Sequence, residues 1–180
     1  MNKFLKISAI VAMLSLPALA TPYALDNANS KVDFKVSHLK LTNVDGKFTK
    51  FSAVIDYDES KKVLNTFEGN VEIASVDTAS TQRDNHLRAP DIFNAEKYPA
   101  MTFKMTKMEA GKIYGNLTIK DKTKEVVFSG TPKLEGKILK INATTKIKRS
   151  DFGVVWESSL KDSLVGDEVE ILLSLSANAQ

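Results

Sequence analysis

Leu139-Lys140-Ile141-Asn142-Ala143-Thr144-Thr145-Lys146-Ile147 decides the fold. Leu139, Ile141, Ala143 and Ile147 fall on one side of an extended chain, and Lys140, Asn142, Thr144 and Lys146 fall on the other. A period of two puts successive side chains on opposite faces, so this is a strand with one face in a core and one in water. The same period recurs along the chain. Val32, Phe34, Val36 and His38 share a face, as do Phe51, Ala53, Ile55 and Tyr57. Phe67, Val71 and Ile73 follow, then Met101, Phe103 and Met105, then Ile113, Leu117 and Ile119. Val126 and Phe128 come after the polar turn Lys120-Asp121-Lys122-Thr123, and Val169, Ile171, Leu173 and Leu175 close the series. About eight such strands joined by short turns predict an all-β sandwich or barrel. Phe48 is out of phase with Phe51, which predicts a bulge near Lys50 or a separate loop role.

The period breaks once, between Thr78 and Pro99. Thr81-Gln82-Arg83-Asp84 has the form of a capping box and predicts the start of a helix, and Asp91 after Pro90 is placed to cap a second short turn. An insertion of that length in an otherwise compact strand protein is more often functional than decorative.

The N-terminus reads differently. Lys3 and Lys6 precede an apolar run from Ile7 to Leu16, and Pro17-Ala18-Leu19-Ala20 supplies small residues one and three before a cut. That is the pattern of a secretory signal peptide, with an apolar run about half the ~20 residues a spanning helix needs. Residues 1–20 are therefore expected to be cleaved and 21–180 to form a single exported domain. Removing Lys3 and Lys6 and no acid lowers the formal charge of the 180-residue chain from +3 to +1. A near-neutral surface is too weakly charged to neutralise a row of phosphates, so nucleic acid is not the expected partner. The chain is 43% hydrophobic and 26% charged, which excludes an intrinsically disordered polymer, and its lack of cysteine excludes thiol catalysis, disulfide scaffolding and cysteine-bound zinc. Outward positions are mostly Lys, Asp, Glu, Thr and Ser, unlike the apolar belt of a membrane barrel.

The chemistry-bearing residues are few. His38 ends an inward row and His86 lies in the insertion, but no carboxylate stands at metal-ligand spacing, so hydrogen-bonded structural histidines are the plainer reading. No HExxH, GxSxG or phosphate-cradling glycine loop is present, and no catalytic residue is assigned. Arg83, Asp84, His86 and Arg88 form a charged set in the insertion, which either ties the insertion to the barrel or meets a polar ligand head. Met101-x-Phe103-x-Met105 puts two flexible thioethers beside an aromatic, which suits an irregular apolar guest or a plainly filled core. Trp156, the single tryptophan, belongs to the core, the rim or a cavity.

Taken in order, these segments resemble the YceI-like family of exported polyisoprenoid-binding proteins. The resemblance runs through Tyr23-Ala24-Leu25-Asp26, Ser30 to His38, Gly46-Lys47-Phe48, Val76-Asp77-Thr78, Arg83-Asp84-Asn85-His86-Leu87-Arg88 and Asp91-Ile92-Phe93-Asn94 with Tyr98-Pro99. Gly115 to Lys120, Arg149-Ser150-Asp151-Phe152-Gly153 and Val165-Gly166-Asp167-Glu168-Val169 complete it. It implies an extended eight-stranded antiparallel lipocalin-like barrel with a short helical insertion around residues 81–98. It further implies a non-enzymatic periplasmic protein that holds an isoprenoid or similar long-chain amphiphile in an apolar tunnel, for carriage, storage or sequestration.

Strand phase then gives the expected lipid-binding set. Its apolar members are Phe34, Val36, Phe51, Val71, Ile73, Phe93, Met101, Phe103, Met105, Leu117, Ile119, Phe128, Ile141 and Trp156, with His38 at the end of its row. Arg83, His86 and Arg149 are the basic groups expected at the head group. The expected ligand is an isoprenoid quinone, a polyprenyl phosphate or a fatty amphiphile, with no metal and no other cofactor. Family members are described as dimers, although no exposed apolar stripe marks a homodimer here. The competing reading is an enzyme acting on the head group of a bound amphiphile, with His38, Asp84 or His86 as acid or base.

Overall fold

The computed structural model describes residues 21–38, 42–156 and 164–180. The expected signal segment, residues 1–20, lies outside the described residues. The strands are β1 (Thr21–Leu25), β2 (Lys31–His38), β3 (Thr42–Phe48), β4 (Phe51–Asp58), β5 (Val63–Glu72), β6 (Val76–Asp77), β7 (Ala100–Glu109), β8 (Lys112–Ile119), β9 (Lys122–Glu135), β10 (Ile138–Lys148) and β11 (Val165–Ala179), with one α-helix, α1 (Thr81–Arg88).

Eight strands close a ring in the order β1, β4, β5, β7, β8, β9, β10, β11, every pairing antiparallel. The ring shuts where Tyr23, Ala24 and Leu25 of β1 pair with Ala179, Asn178 and Ala177 of β11. Closure leaves no free edge on the ring and gives every inward residue the same core. The alternation read from the sequence is seen directly on β10, where Leu139, Ile141, Ala143, Thr145 and Ile147 are buried in turn.

β11 is long enough to serve two partners on one edge. Its C-terminal end holds β1, and its N-terminal part holds β2 through pairs from Ser174↔Lys31 to Val165↔His38. Between β1 and β2 the chain steps aside in a single 3₁₀ turn, Asn27–Asn29, capped by Asp26, whose carboxylate accepts the Ala28 and Asn29 amides. Ser30 then rejoins β11: its hydroxyl accepts the Ser176 amide at 3.0 Å.

β3 pairs with β2 along its whole length but with β6 only at Lys47↔Asp77 and Phe48↔Val76. The wall at that end is therefore completed by α1 rather than by a strand. Phe48 proves to be the last residue of β3, in phase with Val44 and Gly46, and Thr49-Lys50 is the bend into β4. The sequence reading missed β3 because its inward positions include a glycine and only two large apolar residues.

The helix begins one residue earlier than the Thr81 capping box predicts. Ser80 is the N-cap and accepts the Arg83 amide at 3.5 Å. Asp84 does not reach back to the cap, because it is buried and accepts the Thr78 amide at 2.9 Å and the Thr78 hydroxyl. Ala89 is extended, as the following Pro90 requires, and the helix stops there. Asp91 stands in the turn after Pro90 and meets His86 instead of acting only as a cap. Arg88 donates to the carbonyls of Ala74 (2.8 Å) and Val76 (3.0 Å), fastening α1 to β6.

Candidate functional site

The interior divides into two levels. At the level of the β4–β5, β7–β8 and β9–β10 hairpins the barrel is solid: Ile113, Leu139, Ile141 and Ala177 are completely buried and Ile55 nearly so. Tyr23 and Tyr57 meet edge to face there, ring centroids 6.1 Å apart. Towards α1 the side chains no longer meet across the axis. A cavity of about 170 Å³ runs there, lined by residues from every strand except β6. That volume lies below the roughly 300–1,000 Å³ of drug-sized ligand pockets. Val169, Ile171, Leu173 and Leu175 of β11 line it in succession, so it extends along that strand.

Glycines make the room for its aromatic walls. A Cβ on Gly115 would lie 2.4 Å from the Phe103 ring and 2.6 Å from the Lys104 carbonyl oxygen, so Phe103 lies flat over β8 rather than across the bore. Phe103 packs on Phe67 and Phe128 at centroid distances of 5.7 and 5.3 Å. Nearer the open end, Phe34 lies over Gly46 and against Phe48 at 5.5 Å.

Beyond Phe34 the cavity widens into a mouth of about 520 Å³. Phe34, Val36, Leu87, Trp156 and Val165 line both spaces, so they are one continuous concavity. The mouth has an apolar side, with Val44 and Leu164, and a polar side carried by Thr78, Ser80 and the α1 residues Gln82, Arg83 and His86. Helical spacing puts Arg83 and Leu87 on one face of α1, so one turn supplies both an apolar and a cationic wall.

The basic groups differ in what they are doing. Arg83 is exposed and its Nε and Nη2 donate to the Thr78 hydroxyl (2.7 Å) and carbonyl (2.6 Å), which holds the guanidinium at the rim. His86 Nε2 and Asp91 Oδ2 lie 2.8 Å apart beside it. Arg149 touches the cavity wall but is buried, 6% exposed, and its guanidinium donates to the carbonyls of Gly166 (3.0 Å), Val154 (2.8 Å) and Val165 (2.9 Å). It also stands over the Trp156 ring, 5.0 Å from its centroid. Arg149 thus clamps the start of β11 to the turn before Trp156. Lys120 completes the frame: its ammonium bridges the carbonyls of Ile92 (2.9 Å) and Gly153 (3.1 Å), joining the insertion to that turn.

The structure brings most of the expected set together. Phe34, Val36, Phe51, Val71, Phe93, Met101, Phe103, Leu117, Ile119, Phe128, Arg149 and Trp156 line the cavity, and Arg83 and His86 line the mouth. Ile141 belongs to the solid level, Met105 stands one step below Phe103, and Ile73 leaves the strand phase in a 3₁₀ turn after β5; none of the three lines either space. His38 is placed by its backbone pairs with Thr42 and Val165, and its side chain lies outside what is described. The expected set omits Phe48, Phe67, Leu87 and the β11 row Val169, Ile171, Leu173 and Leu175, all of which face the cavity. The β11 row was visible as alternation; Leu87 required the register of α1. Among the described residues no three His, Cys, Asp or Glu side chains are grouped to hold a metal.

A closed antiparallel barrel around an apolar cavity with a polar rim defines the class of small β-barrel proteins with an interior space. Within that class the chain belongs to the YceI-like family: the YceI-like domain model matches residues 23–177. A UPF0312 protein of Vibrio cholerae serotype O1 is 31% identical over 169 residues, covering 86% of this chain and 89% of the relative. The crystal structure of Burkholderia cenocepacia BcnA superposes with a TM-score of 0.78 at 29% identity, covering 86% of this chain and 99% of BcnA. A polyisoprenoid binding domain from Saccharophagus degradans shares the fold, with a TM-score of 0.64 at 15% identity over 88% of this chain and 98% of that domain.

Proposed function

We propose that the protein is an exported, non-catalytic carrier that holds an isoprenoid or similar long-chain lipid, tail in the barrel and head in the mouth. The observation that carries this reading is the apolar cavity that begins at Trp156 and Leu87 and ends on a solid floor, with its polar side confined to the rim. Transfer of an aliphatic tail into such a space contributes roughly 0.8 kcal/mol per buried methylene, so affinity comes from the tail and few hydrogen bonds are needed. The polyisoprenoid-binding description of the Saccharophagus degradans domain points to the same ligand class. Arg83 and His86 are the groups assigned to the head, whether a quinone, a phosphate or a carboxyl. Residues 1–20 are assigned as the export signal and the periplasm as the working compartment, with transport, storage or sequestration as the task.

Extraction of the protein from a periplasmic fraction with organic solvent, followed by mass spectrometry and N-terminal sequencing, tests this directly. The expected result is one recovered lipid per chain, unchanged on incubation, and a mature chain beginning near Thr21. A lipid converted to product on incubation would instead establish an enzyme acting on the head group. Protein recovered without lipid, and unable to take any up, would overturn the reading.

A further inference from the structure

β3 loses its second partner where the mouth begins. β6 pairs with it at Phe48↔Val76 and Lys47↔Asp77, and the next step of that antiparallel ladder would set Ala79 opposite Asp45. Ala79 instead takes a φ of +59°, in the left-handed region that residues with a side chain seldom adopt. Its amide turns to Asp77 Oδ1 (2.9 Å), the Thr78 amide turns to Asp84 (2.9 Å), and the chain swings off β3 into α1. The Thr49 amide bonds the Ser75 carbonyl on the β6 side, so by alternation Lys47, Asp45 and Asn43 direct their backbone groups the same way. Asp77 meets Lys47. Among the described residues no strand meets Asp45 or Asn43, and both are exposed. An edge left open in this way is a template for another strand.

Two rows of side chains cross the sheet and end at this edge. The inward row is Ile147, Val169, Val36 and Val44, apolar throughout. The outward row beside it is Lys146, Glu170, Lys35 and Asp45, alternating in sign. A strand that continues both rows carries an apolar side chain opposite Val44 and a cation opposite Asp45. The mouth offers it space, since about 520 Å³ falls within the roughly 300–1,000 Å³ of ligand pockets. On the far side of the mouth stand Gln82 and Arg83, whose Nη1 takes no part in the anchor to Thr78. Their N–H groups suit the carbonyls along the second edge of such a strand.

We propose that the mouth is also a peptide site, in which an extended segment of another protein, alternating apolar and basic residues, adds to the Asn43–Asp45 edge between β3 and α1. A second copy of this chain fits less well: two β3 edges paired antiparallel about Val44 would set Asp45 against Asn43 and supply no cation. The site uses the backbone edge of the mouth and not the bore, so it stands apart from the carrier reading.

The test uses the mature chain, as purified and after cyclodextrin has drawn off any lipid. The probe is a five-residue peptide, acetylated and amidated, with valine at its centre, lysine on either side and threonine at the ends. Binding is read from the fluorescence of Trp156, the single tryptophan, which lines the mouth, and from hydrogen exchange at the Asn43 and Asp45 amides. The peptide should slow exchange of both amides at least about tenfold at saturation. Replacing its lysines by glutamates should weaken binding roughly fivefold or more, and Asp45→Lys, a change at an exposed site, should reverse that preference. Protection seen only in the lipid-free chain would support the site and place peptide and lipid head in competition for the mouth. No binding to either form, binding that leaves the two amides unprotected, or equal affinity for both peptides would overturn it. So would a dimer of the free chain that protects the same amides, since the edge would then belong to a second copy. None of these failures touches the carrier reading, which rests on the lipid recovered.

Discussion

Phe34 lies directly over Gly46: a Cβ at position 46 would fall 2.2 Å from Phe34 Cζ. The two residues are register partners on β2 and β3, so the ring uses the space of the missing side chain at the join between cavity and mouth. Gly46→Ala must push the ring inward. The expected cost is about 1–3 kcal/mol of stability, measured by denaturant unfolding, together with weaker uptake of lipid. Gly115→Ala should cost more, because the Lys104 carbonyl at 2.6 Å belongs to the backbone and cannot swing away as a ring can.

Arg149 offers a different kind of test. Its three carbonyl partners lie on the turn before Trp156 and on the start of β11, and removing the guanidinium strands buried acceptors. Arg149→Met should destabilise by about 3 kcal/mol or more, and Arg149→Lys should recover little of it because an ammonium cannot span the three oxygens. A variant as stable as the parent would show that the clamp is dispensable and return Arg149 to the head-group candidates.

The solid end gives a pH dependence. The Ser60 hydroxyl, the Lys61 amide and the Lys61 ammonium hold the Asp58 carboxyl at about 2, below its ordinary 3.8. A lowered acid contributes stability that is full above the ordinary value and is lost as pH falls through about 2. Tyr23 behaves oppositely at high pH. Burial, then its hydrogen bond to Glu59 at 2.9 Å, pushes its phenol up to about 12, so its contribution is full below pH 10 and lost as pH rises through about 12. Unfolding free energies measured across both ranges should flatten in Asp58→Asn at the acid end and in Tyr23→Phe at the alkaline end. Unchanged slopes would mean that other groups carry the pH dependence.

What could be read from the sequence was decided by period. The β10 row Leu139 to Ile147 and the Met101, Phe103, Leu117 and Phe128 positions alternate cleanly, and phase alone put their side chains inside. Phase could not say how far down the barrel the space extends, which is why Ile141 and Met105 entered the expected lining. Depth is a property of several strands together: Ile141 is completely buried and lines nothing, while its register partner Leu175 lines the cavity. Nor does a basic residue announce its task. Arg83 and Arg149 look alike in sequence, and only the three carbonyls around the Arg149 guanidinium separate a clamp from a rim residue.

Arg83 is the residue on which the head-group assignment turns. It reaches the mouth from α1, and its anchor on Thr78 fixes the guanidinium beside His86 and Gln82 without burying it. A phosphate or carboxylate head held there makes charge-assisted hydrogen bonds, and losing them should cost about 1.5–3 kcal/mol, or roughly ten- to hundredfold in affinity. Lys61, exposed at the opposite end beside Asp58, provides the control. Arg83→Ala should weaken binding of an anionic single-tailed lipid by that factor, leave the matching alcohol nearly unaffected, and differ clearly from Lys61→Ala with both. The loss should shrink as salt is raised, since an exposed ionic contact is screened. Equal effects of Arg83→Ala and Lys61→Ala on the anionic lipid would remove Arg83 from the site. A large loss with the alcohol as well would mean that Arg83 acts by holding α1 in place through Thr78, not by meeting the head.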